Sequence, residues 1–550
     1  MCGIAGLIRT GGLTPADHAS AGKLAALLHH RGPDGAGTSI TSRAALVQTR
    51  LALVDPRSYP LPLSNGRFTI VFNGEIYNHR DLRRQLAAYP FTTETDTEVA
   101  FAALLHWGPA ALERFEGMFA FCLWDDKTGD YLAAVDPLAV KPFVYHRTAE
   151  LFAFCSEAGP LLEAGVVPFR ADEEAVAEHL TAPYFSLMPF ANLARLEGGT
   201  YLTPRGVHSY RSGRAEGDLL TALRRAVRAS TPAGLFLSGG VDSSLLAALA
   251  EAPLPAFTIN YGAMDYTDSL IVNSDDVPFA RQVAAAFGHP HFEVTPVDYA
   301  TALQRSLWAN DQIAAWEQEV SQNLLAEAAA PHCKAVLVGD AADETHYGYS
   351  FLLHPERIAS PRPLLDFFGH LPLRRMDAAA HFTARYQAET AAAGYQWDTP
   401  ADQRLAISYL IRQRWLARLL HNGDIQLMAH SVEGRVPFAD PTVVAIADAI
   451  PPETALANGI EKHYLRSVAA AVLPPEIAWR PKSALTKNLL GRAAVHRLFR
   501  EAWAEHGDWL APYVEADFVA GLGPPADDRE TGLQFRLLAT MTWFARWGSV

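Results

Sequence analysis

Between residues 1 and 205 the chain alternates short apolar runs with turn residues, the pattern of strands interspersed with helices. CGIAGLI from Cys2, AALVQTRLALVD from Ala44 and FTIVFNGEIYN from Phe68 each predict a strand, and GMFAFCLWDD, GDYLAAVD and LFAFCSE predict three more. KLAALLHHRG predicts a short amphipathic helix stopped at Gly32-Pro33. TDTEVAFAALLHWG predicts another, with Asp96 and Thr97 as cap candidates and a glycine stop. From Thr203 to Asp218 the run TPRGVHSYRSGRAEGD turns polar, basic and glycine-bearing, which predicts a boundary between a first domain, 1–205, and a second, 206–550. Beyond it GLFL, AFTIN, HFEV and KAVLVGD alternate with helical stretches such as LLAALA and VPFARQVAAAFG. That alternation predicts a parallel, doubly wound sheet. The remainder, 350–550, reads as mostly helical.

Composition sharpens this to an ordinary globular α/β chain. Of 550 residues 49% are hydrophobic and 19% charged, enough apolar surface for more than one core. The formal net charge of −14 argues against nucleic acid or an anionic membrane as a general partner. No apolar run is long enough to predict a membrane span, and the first residues lack the basic-then-apolar order of a signal peptide, so a cytoplasmic location is expected. Cys2, Cys122, Cys155 and Cys333 are scattered with no CxxC pair, which reads as reduced thiols and neither a disulfide frame nor a zinc site.

LFLSGGVDSS, Leu235 to Ser244, is the most specific chemical motif. Two glycines let the backbone approach an anion, Ser238, Ser243 and Ser244 offer hydroxyls, and the following helix presents free N–H groups. Asp242 is wrong for gripping phosphate directly but suits a Mg²⁺ held on it. The run lacks the G-K-[ST] ending of a Walker loop. The opening MCGIAG leaves two readings of Cys2: a small buried hydrophobe on a first strand, or a nucleophile whose own α-amine is freed once Met1 is removed.

The SGGVDSS loop resembles that of ATP-pyrophosphatases. With the amino-terminal CGI, and with RGPDG, RLALVD, FNGEIYN, TDTE, VEGRVPFAD and EKHYLR in this order, nearly the whole chain resembles the glutamine-hydrolysing asparagine synthetase family. The resemblance implies an Ntn-hydrolase-like αββα sandwich, carrying a class II glutamine amidotransferase, followed by a doubly wound α/β ATP-pyrophosphatase domain with added helices. It implies that Cys2 is the nucleophile, with Asn73 and the Gly74 N–H as oxyanion hole. Arg50, Glu75 and Asp96, with the main chain from Leu51 to Val54, would hold glutamine beside Asn73 and Gly74. In the second half it implies ATP on Phe236, Leu237, Ser238, Gly239 and Gly240, with Asp242, Ser243 and Ser244. Ile259, Val338 and Gly339 would lie along the adenosine. Asp242 and Asp343 would share Mg²⁺, Asp340 would serve as general base or position the acceptor near the acyl-adenylate, and Lys462 would stabilise negative charge during adenylation. Arg480 and Lys482 are further candidates for meeting pyrophosphate. The family is often dimeric.

Departures from the family pattern carry as much information. Val135 and Ala139 stand where a basic residue and a glycine are usual, and Leu61 where glutamine is common. Where asparagine synthetases hold aspartate with two threonines and an arginine, an ungapped count gives Ala314-Ala315-Trp316-Glu317. Glu317 in place of a cation would repel an α-carboxylate, and Asp311 and Glu319 add negative charge nearby. The acceptor pocket is therefore assigned to Glu317 and Asp311, and a carboxylate other than free aspartate is favoured slightly over aspartate. A β-lactam-synthetase-like ligase with a retired glutaminase is the alternative; intact Cys2, Asn73, Gly74 and Asp96 count against it.

Overall fold

The computed structural model describes residues 2–548, apart from 56, 58–59, 186–187, 212, 263–274, 317, 355–370, 375 and 483–488. The first half contributes β1 (Cys2–Arg9), β2 (Gly35–Ile40), β3 (Ala44–Arg50), β4 (Leu63–Ser64), β5 (Phe68–Ile76) and β6 (Gly117–Asp125). They are followed by β7 (Asp130–Val135), β8 (Val144–Arg147), β9 (Leu151–Cys155), β10 (Ala194–Arg195), β11 (Thr200–Thr203) and β12 (Gly206–Ser209). Two six-stranded sheets result, ordered β10-β8-β9-β1-β3-β2 and β12-β11-β7-β6-β5-β4. Their facing sides bury Ile4, Leu46, Val71, Trp124, Phe143 and Phe154. The helix Pro15–Leu27 covers the outer face of the first sheet through Ala21 and Leu24, which meet Leu7 and Val47. The helix Asp96–Trp107 covers the second through Val99 and Phe101, which meet Ile70 and Phe121. Helix, sheet, sheet, helix is the expected sandwich. The cap of the second helix is Thr95, whose hydroxyl accepts the Glu98 N–H at 3.2 Å; Asp96, expected as a cap, is its first helical residue. The strand β12 lies past the expected boundary at 205, yet it pairs with β11 and completes the first half's sheet.

The second half is built on β13 (Leu235–Phe236), β14 (Ala256–Ile259), β15 (His291–Val294), β16 (Ala335–Leu337) and β17 (Glu433–Arg435), ordered β15-β14-β13-β16-β17. Every pairing in this sheet is parallel. Helices cover both faces: Val241–Leu249 packs with Leu235 and Leu337 on one side, and Gln318–Ala329 with Val336 and Phe257 on the other. β14 and β15 run to one side of β13, whereas β16 and β17 run to the other. The order therefore reverses between β13 and β16, and such a reversal opens a crevice at the carboxyl ends of the strands. The polar segment EGR forms β17, an element that hydrophobic patterning does not mark.

Charged side chains close the join between the halves. Arg31, fully buried, bonds Glu157 at 2.7 Å and Asp424 at 2.6 Å, and Lys141 reaches Asp424 at 3.3 Å. Arg435 from β17 pairs with Glu75 on β5 and with Glu433. Lys334, just before β16, pairs with Asp34 at 2.8 Å.

Val135 ends β7, and the loop after it carries Ala139, another of the departures noted above. Asp136 accepts the N–H groups of Phe119, Leu138, Val140 and Lys141 at 3.0–3.2 Å, and this holds the loop that sends Lys141 to the interface. Ala139 inside that loop has φ of 50°, a left-handed conformation that a Cβ disfavours. Ala139→Gly is expected to stabilise the protein by about 0.5–1 kcal/mol, the relieved strain less glycine's added entropy. Denaturant unfolding of the two proteins measures it; a destabilised variant would show that the loop carries no such strain.

Candidate functional site

Cys2 opens β1 directly opposite Arg50 of β3, facing β5 across the sandwich. The Cys2 main-chain N–H donates to Asn73 Oδ1 at 3.1 Å. Asn73 is fully buried, and its Nδ2 has no hydrogen-bond partner among the described residues. An orphaned buried donor is costly, and here it lies on the residue that contacts the cysteine. Gly74 follows at φ of 144°, and a Cβ there would lie 2.1 Å from the Met118 carbonyl, so β5 can pass β6 at this point only as glycine. Arg50 donates to the carbonyls of Arg57, at 2.9 Å, and Asp55, folding the segment from Leu51 to Val54 over the same region. Leu51 is buried against Met428, whereas Val54 is exposed. Asp96 accepts the Ile76 N–H at 2.9 Å, and burial pushes its carboxyl above the usual range. Burial, against the opposing pull of Arg435, raises Glu75 to about 8, with Glu433 and Asp96 adding to the rise. Glu75 thus meets the second half through Arg435, a partner that sequence spacing could not supply.

The loops after β13 and β16 stand side by side at the sheet's reversal point, where Leu235 pairs with Leu337. Ser238 and Ser243 bond each other through their hydroxyls at 3.1 Å, and the helix Val241–Leu249 starts between them after Gly240. Ser244 is buried and its hydroxyl has no hydrogen-bond partner among the described residues. Phe236, Leu237, Ile259, Val338 and Gly339 cluster around this crevice by strand position, at the ends of β13, β14 and β16. Lys462 joins the two loops: its ammonium lies 2.5 Å from Asp242 and 2.5 Å from Asp343. Lys482 also reaches Asp343 at 2.5 Å. Burial would raise the Asp343 carboxyl, but the two lysines outweigh it and hold Asp343 well below the usual range. Lys462 sits at φ of 53°, a conformation maintained here by the contacts on both sides. A Cβ on Gly348 would come within 1.9 Å of Asp343 Oδ1 and 2.3 Å of Lys462 Cε, so only glycine admits this cluster. Arg480 bonds Asp276 at 2.6 Å and the Ser238 carbonyl at 3.3 Å, placing it beside the serine loop.

Asp340 lines a cavity between the halves together with Val140, Lys141, Val338, Gly423 and Asp424. Burial, with Asp343 nearby, pushes Asp340 up to about 6. At the other end of the wall, Arg31 touches both Asp424 and, at 3.4 Å, the Cys2 carbonyl. One arginine therefore spans the distance from the cysteine to the cavity that reaches Asp340.

The acceptor-pocket expectation needs correction at Asp311. That residue is 2% exposed and already committed: it accepts the Ala158 N–H at 2.8 Å and bonds His421 at 2.9 Å, tying the halves together. Burial favours its protonation, but His421 wins and keeps it low. Glu319 is likewise buried, bonded to the Ala315 N–H, Asn310 and Asn422. Glu317 lies outside the described residues. Ala314 and Ala315 are packed in apolar clusters. Trp316 seats its indole where a side chain on Gly532 would otherwise go. Residues 314–316 offer neither hydroxyl nor cation.

Comparison with known proteins agrees with this division. The family model described as asparagine synthase matches residues 215–549, and the one described as a glutamine amidotransferase domain matches residues 1–210. A protein of Mycobacterium tuberculosis, provisionally described as a glutamine-hydrolysing asparagine synthetase, is 28% identical, covering 100% of this chain and 97% of its own. Glutamine-hydrolysing asparagine synthetase 1 of Bacillus subtilis is 27% identical over 83% of this chain and 82% of its own. Asparagine synthetase B of Escherichia coli is 27% identical over 84% and 77%. The chain belongs to the asparagine synthase family, with a glutamine amidotransferase domain at its amino end.

Proposed function

We propose that the protein is a glutamine- and ATP-dependent carbon–nitrogen ligase, converting a carboxylate to an amide with release of glutamate, AMP and pyrophosphate. The halves divide after β12, near residue 210, a reading supported by the pairing of β12 with β11. The observation that carries the reading is the cavity wall that joins Cys2, through Arg31 and Asp424, to Asp340.

In the first half the thiol proton of Cys2 passes to its own α-amine, freed by removal of Met1, and the sulfur attacks the glutamine carboxamide carbon. The unpartnered Asn73 Nδ2 and the Gly74 N–H receive the developing oxyanion. The amine returns the proton to the leaving nitrogen as ammonia, and water then releases glutamate. Arg50 grips the glutamine α-carboxylate, while Glu75 and Asp96 face its ammonium. Ammonia moves through the interior between the halves to Asp340.

In the second half the backbone of Ser238 to Ser244 receives the phosphates of ATP, with Phe236, Ile259 and Val338 along the nucleoside. The donor set fits Mg²⁺: Asp242 Oδ1 is buried with no hydrogen-bond partner among the described residues, and Asp343 faces it across Lys462. No third acidic, histidine or cysteine ligand joins them among the described residues, so phosphate oxygens and water would complete the shell. The ion, when bound, neutralises charge on the phosphates. Lys462 stabilises charge as pyrophosphate departs, and Asp340, raised to about 6, takes the proton that ammonia loses on attack.

The acceptor is a carboxylate other than free aspartate, larger or amine-bearing, as in a tailoring step. Support comes from residues 314–316, whose buried alanines and packed tryptophan supply neither a hydroxyl nor a cation for an α-carboxylate. Pyrophosphate release and amide formation across a panel of carboxylic acids, L-aspartate included, test this. We expect aspartate to be at least about tenfold poorer in kcat/KM than the best acid, the discrimination available from one unmet charged group. Full turnover with aspartate would overturn it. Among the described residues no helix is long and apolar enough to cross a membrane.

A further inference from the structure

We propose that Gln48 is a catalytic residue of the glutamine half, whose carboxamide N–H donates to the Cys2 sulfur and stabilises it as its proton leaves for the α-amine. The inference rests on reading Cys2 as the glutaminase nucleophile.

Gln48 lies on β3, opposite Ile4 and two residues before Arg50, on the interior face of its sheet. It is fully buried. Its amide is locked by a reciprocal pair with the backbone of Phe72 on β5. The Phe72 N–H donates to Gln48 Oε1 at 3.3 Å, and Gln48 Nε2 donates to the Phe72 carbonyl at 3.1 Å. This pair fixes which end is the nitrogen without appeal to the sulfur. Nε2 carries two hydrogens. One serves Phe72, and the other reaches Cys2 Sγ at 3.7 Å.

A carboxamide exchanges no proton here; its contribution is to favour S⁻ over S–H, because a donor binds the charged acceptor more strongly. Phe72 also precedes Asn73, so the same clamp sets β5 against β3 and brings Asn73 Oδ1 onto the Cys2 nitrogen. The bonds that the charged groups around Cys2 make go to groups other than its sulfur. Arg31 bonds Glu157 and Asp424, and touches Cys2 only at its carbonyl. Arg50, across the ladder, donates to the carbonyls of Arg57 and Asp55. Glu75 pairs with Arg435, Glu433 lies beyond it, and Asp96 accepts from Ile76. The α-amine exposed by processing is the base, and Gln48 is the neutral donor on the sulfur itself.

The test uses the full-length processed protein with Gln48→Met and Gln48→Glu. Alkylation of Cys2 by iodoacetamide is followed by mass spectrometry from about pH 5 to about pH 10, a range that brackets thiol titration. Cys122, Cys155 and Cys333 are buried, which keeps the readout on Cys2. Gln48→Met is expected to slow alkylation at neutral pH about tenfold and to move its pH midpoint upward. It should lower kcat for glutamate release about tenfold, with KM for glutamine within about twofold. Gln48→Glu keeps an acceptor for the Phe72 N–H but places a carboxylate against the sulfur. It should move the midpoint further in the same direction, and it decides the matter if the methionine variant does not fold. Unchanged midpoints in the folded variants, even with a lowered melting temperature, would overturn the proposal and leave Gln48 a strut between sheets. If the wild type releases no glutamate while its midpoint still responds to Gln48, the glutaminase reading fails and the Gln48 contact stands.

Discussion

Cys2→Ala is expected to reduce glutamate release from glutamine by at least about 10⁴-fold, as loss of a covalent nucleophile does elsewhere. Amide formation should persist when ammonium replaces glutamine and the best acid from the acceptor panel is supplied. The substitution is structurally mild: residue 2 begins β1, and its pairing with Arg50 is main-chain. The Asn73 Oδ1 contact is to the main-chain nitrogen, which alanine retains. What is lost is the sulfur, on the residue whose nitrogen bonds Asn73. Glutamate release above about 1% of wild type would remove Cys2 from the role given it, since the oxyanion donors alone do not replace a nucleophile.

Lys462→Met carries the second large effect, on the other half. Pyrophosphate release should fall about 10²- to 10³-fold, the loss seen when one preorganised charge partner of a transition state is removed. Glutamate release should stay within about threefold. The lysine lies 2.5 Å from both Asp242 and Asp343, so methionine leaves two carboxylates facing each other with Lys482 as the neighbouring cation on Asp343. Lys462→Arg separates charge from shape: it keeps the cation, but the fork must fit where Gly348 leaves room for a narrow stem. Pyrophosphate release within about threefold of wild type in the methionine variant would reject a role in adenylation.

Much of the architecture could be read from periodicity. The apolar run ending at Leu237, the serine–glycine loop and the apolar helix after it fold as a strand, a loop and a helix at the sheet's reversal point. The acidic loop after Leu337 meets that motif because their strands are adjacent and parallel. Local patterning could not say which faces meet across hundreds of residues. Asp311 looked like negative charge near an acceptor, but it is consumed by Ala158 and His421, partners far away in the chain. Gln48 reads as one polar residue in an apolar strand until β5 is laid against β3. Arg435 stands in a short polar segment whose burial depends on Glu75 from the other half. Thr95 took the helix cap from Asp96 because its hydroxyl reaches the Glu98 N–H, a one-residue shift that composition alone does not resolve.

The guanidinium of Arg31 is fully buried: Glu157 on its own side, Asp424 on the other and the Cys2 carbonyl take its donors, and Arg435 likewise pairs with Glu75 across the join and Glu433 on its own side. Pulling the halves apart would leave Arg31 with Glu157 and Arg435 with Glu433, but would strip Asp424 and Glu75 of the cations that face them across the join, at about 3–5 kcal/mol for each set that stayed buried. The covalent tether is almost incidental to their union, and a calorimeter should record one melting event where a tally of folds would forecast two.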